Sequence, residues 1–92
     1  EAFAAQVLCT LSAWESASFC RDKLGLDGPL GSIDRGKLNV VGSSLAVGHP
    51  FAATGARIIA TAAKLLKEKG QGRALISVCT AGGMGVVAIL ER

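Results

Sequence analysis

Residues 50–90 read PFAATGARIIATAAKLLKEKGQGRALISVCTAGGMGVVAIL, a helical pattern followed by two short apolar runs. Apolar and small residues nearly surround the first half of the predicted helix over residues 51–69, and only Thr54, Arg57 and Thr61 interrupt them. A helix that is apolar on all sides is normally buried. We therefore predict that its N-terminal half lies inside the protein and that its charged end reaches the surface.

The ends of this helix and the strands after it are also marked in the sequence. Pro50 suits the first turn of a helix, and Gly70 suits its C-terminal cap. The continuous apolar run at residues 74–78 is typical of a strand covered on both faces, and residues 86–90 predict a second strand. The glycine-rich segment CTAGGMG between them can turn sharply, so the two strands are expected to be antiparallel.

Upstream, residues 2–24 predict a first helix, since apolar side chains recur at spacings of three and four and Gly25 can end it. Residues 25–38 contain four glycines and predict a loop, and residues 38–50 predict brief extended pieces. Glu1 leads directly into the helical pattern with no capping residue before it. We therefore expect further protein upstream.

Composition narrows the function classes. Half of the residues are hydrophobic and mean hydropathy is +0.45, which is apolar for 92 residues and suggests a face that packs on more protein. No apolar stretch approaches the roughly 20 residues of a membrane span, and no signal-peptide pattern is present. The net charge of +3 is mild, and the basic residues cluster near a helix end without aromatic neighbours. Nucleic-acid binding is therefore poorly supported.

The three cysteines are Cys9, Cys20 and Cys79. An odd number without a Cys-x-x-Cys pair argues against a disulfide framework and against a structural zinc site. We expect no metal site and no cofactor, and a reducing compartment, either the cytoplasm or an organelle matrix. Within the predicted first helix, Cys9 and Cys20 are interpreted as small buried thiols.

Two places combine a reactive side chain with glycine-rich backbone. In the first, Gly48 and Pro50 flank His49 at the start of the predicted helix. A helix start presents free amides and partial positive charge, where a neutral imidazole can donate a hydrogen bond or take a proton. The alternative is a histidine that only fills the loop or caps the helix.

In the second, Cys79 ends an apolar strand and enters a glycine turn. The ends of buried strands are common ligand sites in α/β folds, and a thiol can carry a proton. The alternative is an inert buried thiol.

Three motifs, two of them around His49 and Cys79 and one at the start of the chain, resemble those of the thiolases. They are NVVGSSLAVGHPFAATG at residues 39–55, ALISVCTAGGMG at residues 74–85 and EAFAAQ at residues 1–6. Ser43 and Ala81 depart from the family pattern, since each stands where glycine is usual. The related ketoacyl synthases fit less well because they usually carry Thr or Ser where Pro50 stands. Within the thiolases, the resemblance is greatest to the long-chain, fatty-acid-oxidation branch.

The resemblance implies an α/β fold, with the whole chain forming part of the C-terminal domain. We expect a helix-loop-helix-strand-strand fragment of a layered α/β/α domain. It also implies an acyltransferase that cleaves 3-ketoacyl-CoA to acetyl-CoA and a shortened acyl-CoA, or runs the reverse condensation. His49 would polarise the substrate oxygen and Cys79 would act as acid and base. The amide of Ala81 would bind the oxyanion, with Gly48 and Gly82 in the substrate-binding loops.

The resemblance implies that the nucleophilic cysteine lies in the N-terminal half, and neither Cys9 nor Cys20 lies in a motif that resembles it. These 92 residues alone are therefore expected to be inactive. The expected partners are coenzyme A and acyl-CoA as substrates, the N-terminal half, further copies of the protein and a hydratase/dehydrogenase subunit. One alternative is a non-catalytic remnant that binds CoA or another subunit. Another is a helical interaction module without a ligand.

Overall fold

The computed structural model describes all 92 residues, which form two compact units, Glu1–Ala46 and Val47–Arg92. The first unit is helical and the second combines a long helix with a two-stranded sheet. The predicted α/β class and the predicted order of its main elements are confirmed. No helix combines the length and the apolar character that crossing a bilayer requires.

In the first unit, two helices replace the single helix predicted over residues 2–24, so that prediction was wrong. Helix α1 is Ala4–Glu15 and helix α2 is Ala17–Leu24. Ser16 breaks the helical path with φ −83° and ψ 112°, and its Oγ accepts a hydrogen bond from the Phe19 amide at 3.2 Å. A serine that can cap a helix in this way favours a new start over continuation. Gly25 ends α2 in the left-handed conformation, as predicted.

The Cys20 thiol holds the corner between these helices and the loop that follows. It is fully buried, and its Sγ lies 3.5 Å from the carbonyl oxygens of Ala13 and Trp14. The Leu30 amide donates to the same sulfur at 3.4 Å. The prediction of a buried thiol is thus confirmed for Cys20.

The same prediction was wrong for Cys9, which is exposed. The buried residue of α1 is Leu11. Cys9 precedes it by two positions, or about 200° of helical rotation. Its side chain is therefore directed away from the face that carries Leu11.

The connecting segment is more helical than predicted. A 3-10 turn covers Arg35–Lys37, where the carboxylate of Asp34 accepts from the Gly36 amide at 2.9 Å. Helix α3, Ser44–Val47, lies where extended chain was expected. The Ala46 amide donates to the Ser43 carbonyl at 3.0 Å, so the backbone closes on itself instead of extending.

In the second unit, helix α4 is Phe51–Lys69, as predicted. The Pro50 carbonyl accepts the amides of Ala53 and Thr54, each at 2.9 Å, and Gly70 provides the C-terminal cap. Both ends are therefore set by the residues that the sequence marked.

The sheet consists of β1, Arg73–Cys79, and β2, Gly85–Glu91. The strands are antiparallel, as predicted, with a register that runs from Arg73 opposite Glu91 to Cys79 opposite Gly85. Helix α4 packs against this sheet. The buried apolar side chains of this unit are Leu66, Ile76 and Val78.

The predicted burial was wrong in two places. One face of the sheet is open, since Leu75, Val87 and Ile89 are 56–68% exposed. In the N-terminal half of α4, Phe51 is 62% exposed and Ile59 is 43% exposed. Two strands cover only one side of a helix, and one helix covers only one face of a sheet, which explains both results.

Candidate active site

The backbone around His49 directs its ring towards the start of α4. Gly48 has φ +87°, a conformation that is strained for other residues. Pro50 follows with φ −71° and serves as the N-cap residue. The first turn of α4 itself contains no acidic residue.

Four contacts fix the imidazole of His49. Its Nδ1 lies 2.8 Å from the hydroxyl oxygen of Thr54. Its Nε2 lies 3.0 Å from the carbonyl oxygen of Cys79 and 3.3 Å from the sulfur of the same residue. The ring of Phe51 stands edge-on to it, with centroids 5.0 Å apart. Both nitrogens and one flank of the ring are thus engaged.

The thiol of Cys79 is at the end of a strand and beside a ring nitrogen of His49. Cys79 is the last residue of β1 and is partly exposed. A sulfur 3.3 Å from a ring nitrogen is within hydrogen-bonding distance, so a proton can pass between Cys79 and His49. The structure therefore brings together the two residues that the sequence singled out, although 30 positions separate them.

A tight turn follows Cys79 immediately. Ala81, Gly82 and Gly83 all have positive φ angles, of 63°, 63° and 74°. Within the turn, the Met84 amide donates to the Ala81 carbonyl and the Thr80 amide donates to the Met84 carbonyl.

The backbone amides of residues 81–83 donate to neither of these carbonyls, and the amide of Ala81 is the predicted oxyanion donor. The space beside Gly83 is open, since a Cβ atom added there would meet nothing within 4 Å. The predicted donor thus stands two residues after Cys79, in a turn that does not consume its N–H group.

Two residues that contact the ring were not assigned a role from the sequence. Thr54 is buried and bonds Nδ1, and Phe51 packs against the ring. The sequence contained an indication for Thr54, because it is the first polar side chain in the apolar half of α4 and follows His49 by five positions. It contained none for Phe51, since an apolar residue is expected in an apolar helix.

Comparison with known proteins identifies a family and several relatives that this chain resembles. The family model described as "Thiolase, C-terminal domain" matches residues 1–92. The 3-ketoacyl-CoA thiolase of Aeromonas salmonicida (strain A449) is 53% identical over 91 residues, and that of Shewanella sp. (strain W3-18-1) is 50% identical over the same length. Each alignment covers 99% of this chain and 21% of the relative. Because the family model matches every residue, the chain belongs to the thiolase family, in its C-terminal domain.

Proposed function

We propose that this chain supplies the acid–base part of a thiolase active site, in an enzyme that exchanges acyl groups between 3-ketoacyl-CoA and coenzyme A. The observation that carries the proposal is the 3.3 Å contact between Cys79 Sγ and His49 Nε2 in a chain of this family. The relatives named 3-ketoacyl-CoA thiolase support the substrate class. Since the chain spans 21% of their length, the nucleophile is assigned to sequence outside these 92 residues.

In the first half-reaction, a cysteine thiolate attacks the keto carbon of 3-ketoacyl-CoA. The bond between that carbon and its neighbour breaks, and the electron pair goes to the enolate of acetyl-CoA. The thiol of Cys79 gives its proton to the enolate carbon, and acetyl-CoA leaves. The acyl group remains on the nucleophile as a thioester.

In the second half-reaction, the thiol of coenzyme A attacks this thioester. Cys79, now a thiolate, takes the proton from coenzyme A. The shortened acyl-CoA leaves and the nucleophile regains its thiolate. The same sulfur therefore acts first as acid and then as base, which requires that it be partly exposed, as Cys79 is.

The remaining candidate residues stabilise charge on oxygen. His49 donates from Nε2 to the substrate oxygen that gains negative charge, while the contacts to Thr54 and Phe51 keep its ring in place. The amide of Ala81 donates to the oxyanion of the tetrahedral intermediate. Such donors stabilise the transition state best when they are held in position beforehand. Gly48 and Gly82 allow the backbone to come close to the thioester.

One observation favours the alternative of a binding or subunit-interaction module. The open face of the sheet exposes Leu75, Val87 and Ile89, the kind of apolar surface that contacts other protein. An active thiolase can also have such a contact. The surface therefore does not replace the acid–base assignment.

The test is a measurement of two activities in the enzyme that contains this chain. Cys79→Ser is expected to lower the thiolysis rate by about 10²–10⁴-fold. It is also expected to abolish exchange of the acetyl-CoA methyl protons with deuterated water, which reports the acid–base step alone.

Cys9→Ser, which changes an exposed thiol, is the matched control and should retain both activities. Wild-type protein without either activity would favour the binding-module alternative. Unchanged proton exchange in Cys79→Ser would refute the role of Cys79.

A further inference from the structure

The hydroxyl of Thr54 takes no direct part in the proposed reaction. The side chain is 1% exposed, and its Oγ1 lies 2.8 Å from His49 Nδ1 and 3.1 Å from the Pro50 carbonyl oxygen. A hydroxyl has one hydrogen to donate and can also accept. It can therefore donate to only one of these two neighbours at a time.

When the imidazole is neutral, the groups around Nε2 determine whether the Thr54 hydroxyl donates to Nδ1 or to the Pro50 carbonyl. The Cys79 carbonyl oxygen, 3.0 Å from Nε2, can only accept. The Cys79 sulfur also lies 3.3 Å from Nε2, but a thiol is a weak donor and the carbonyl oxygen is nearer. The single ring proton is therefore best placed on Nε2, and Nδ1 is left as an acceptor. The Thr54 hydroxyl then has to donate to Nδ1.

The direction of this bond reverses when the ring gains a second proton. Nδ1 becomes a donor, and the Thr54 oxygen accepts from it. The hydroxyl hydrogen turns to the Pro50 carbonyl, which lies at a normal hydrogen-bonding distance. Neither state requires the imidazole of His49 to move.

We propose that Thr54 is a positioning residue that holds His49 in one orientation in both protonation states by turning its hydroxyl between His49 Nδ1 and the Pro50 carbonyl. In the neutral state it keeps the proton on Nε2, the nitrogen nearest Cys79. The consequence for catalysis rests on the proposed function, because Nε2 is the nitrogen that would donate to the substrate oxygen. The hydrogen-bonding arrangement itself can be tested without any reaction.

The first test is nitrogen NMR of the histidine ring. His49 is the one histidine among these 92 residues, and a His49→Gln variant identifies its signals in the enzyme. In wild type, the neutral ring should carry its proton on Nε2, with Nδ1 accepting a hydrogen bond. In Thr54→Val, which removes the hydroxyl and keeps the side-chain shape, the Nδ1 signal should move towards that of an unbonded nitrogen. Thr54→Ala serves the same purpose if the valine variant does not fold.

Two controls separate this effect from a general change in α4. Thr54→Ser keeps the hydroxyl and should retain the wild-type pattern. Thr61→Val removes a hydroxyl from the same helix that donates to the Arg57 carbonyl at 3.0 Å, and it should leave the ring signals unchanged. A wild-type ring protonated on Nδ1, or an unmoved Nδ1 signal in both hydroxyl-free variants, would overturn the proposal.

Kinetics provide the second test. Loss of the part-buried hydrogen bond to the ring should lower kcat by about tenfold in Thr54→Val, with little change in KM, and Thr54→Ser should recover it. If kcat does not fall in Thr54→Val, or if Thr54→Ser does not recover it, the positioning role is refuted. If wild type shows no thiolase activity, the proposed function fails, and the NMR experiment still decides the role of Thr54.

Discussion

Cys20 and Cys79 carry the same thiol in two different settings. In the first unit, the sulfur of Cys20 is fully buried and forms its hydrogen bonds with backbone groups, so it acts as a structural clasp. In the second unit, the sulfur of Cys79 is partly exposed and lies 3.3 Å from an imidazole. The chemistry available to a cysteine is thus decided by the groups around it and by its access to solvent.

The largest expected difference between these thiols is in their reactivity. Iodoacetamide should alkylate Cys79 faster than Cys20 by on the order of 10²-fold or more, because Cys20 reacts only after local opening of the fold. Mass spectrometry of digested protein at several reaction times measures both rates. In denaturant the two cysteines should react alike, and equal rates in the native protein would contradict the comparison.

Replacement of Cys20 should lower the stability of the protein. In Cys20→Ala, the Leu30 amide loses its acceptor and a small cavity forms where the buried sulfur was. The free energy of unfolding should fall by about 1–3 kcal/mol, as measured by urea denaturation. Cys9→Ala is the control, and its effect should stay within about 0.5 kcal/mol because that thiol is exposed. Similar losses in both variants would mean that the contacts of Cys20 contribute nothing specific.

The helix break before Cys20 leads to a smaller effect. Ser16→Ala removes the side-chain cap of α2 and should lower the free energy of unfolding by about 1 kcal/mol. Ser12→Ala, at an exposed position inside α1, should leave it unchanged or slightly raise it. If Ser16→Ala has no effect, tertiary packing and not the cap separates the two helices.

The smallest effect is expected at Ala81, whose backbone is left-handed like that of Gly25 in the first unit. Gly25 has φ 67° and Ala81 has φ 63°, but alanine is strained in this conformation by about 1–2 kcal/mol. Ala81→Gly should therefore raise the free energy of unfolding by about 0.5 kcal/mol after the entropy cost of glycine. Gly25→Ala should lower it by about 1 kcal/mol. A loss of stability in Ala81→Gly would show that the alanine side chain contributes packing that outweighs the strain.

The prediction errors also differ in kind between the two units. In the first unit, apart from the burial of Cys9, they concerned secondary structure, at Ser16 and in α3, because short polar segments have several local hydrogen-bonding options of similar energy. In the second unit they concerned burial, at Leu75, Ile59 and their neighbours. An apolar pattern shows that a surface can be buried but not whether anything covers it.

The sequence by itself determined α4 and the hairpin, since Pro50, Gly70 and the glycines after Cys79 act on backbone within a few residues of themselves. It also indicated His49 and Cys79 as the residues that carry chemistry. Only the tertiary structure decided that their side chains meet across 30 positions. Caps and turns are local interactions, whereas this contact depends on how α4 packs against the sheet.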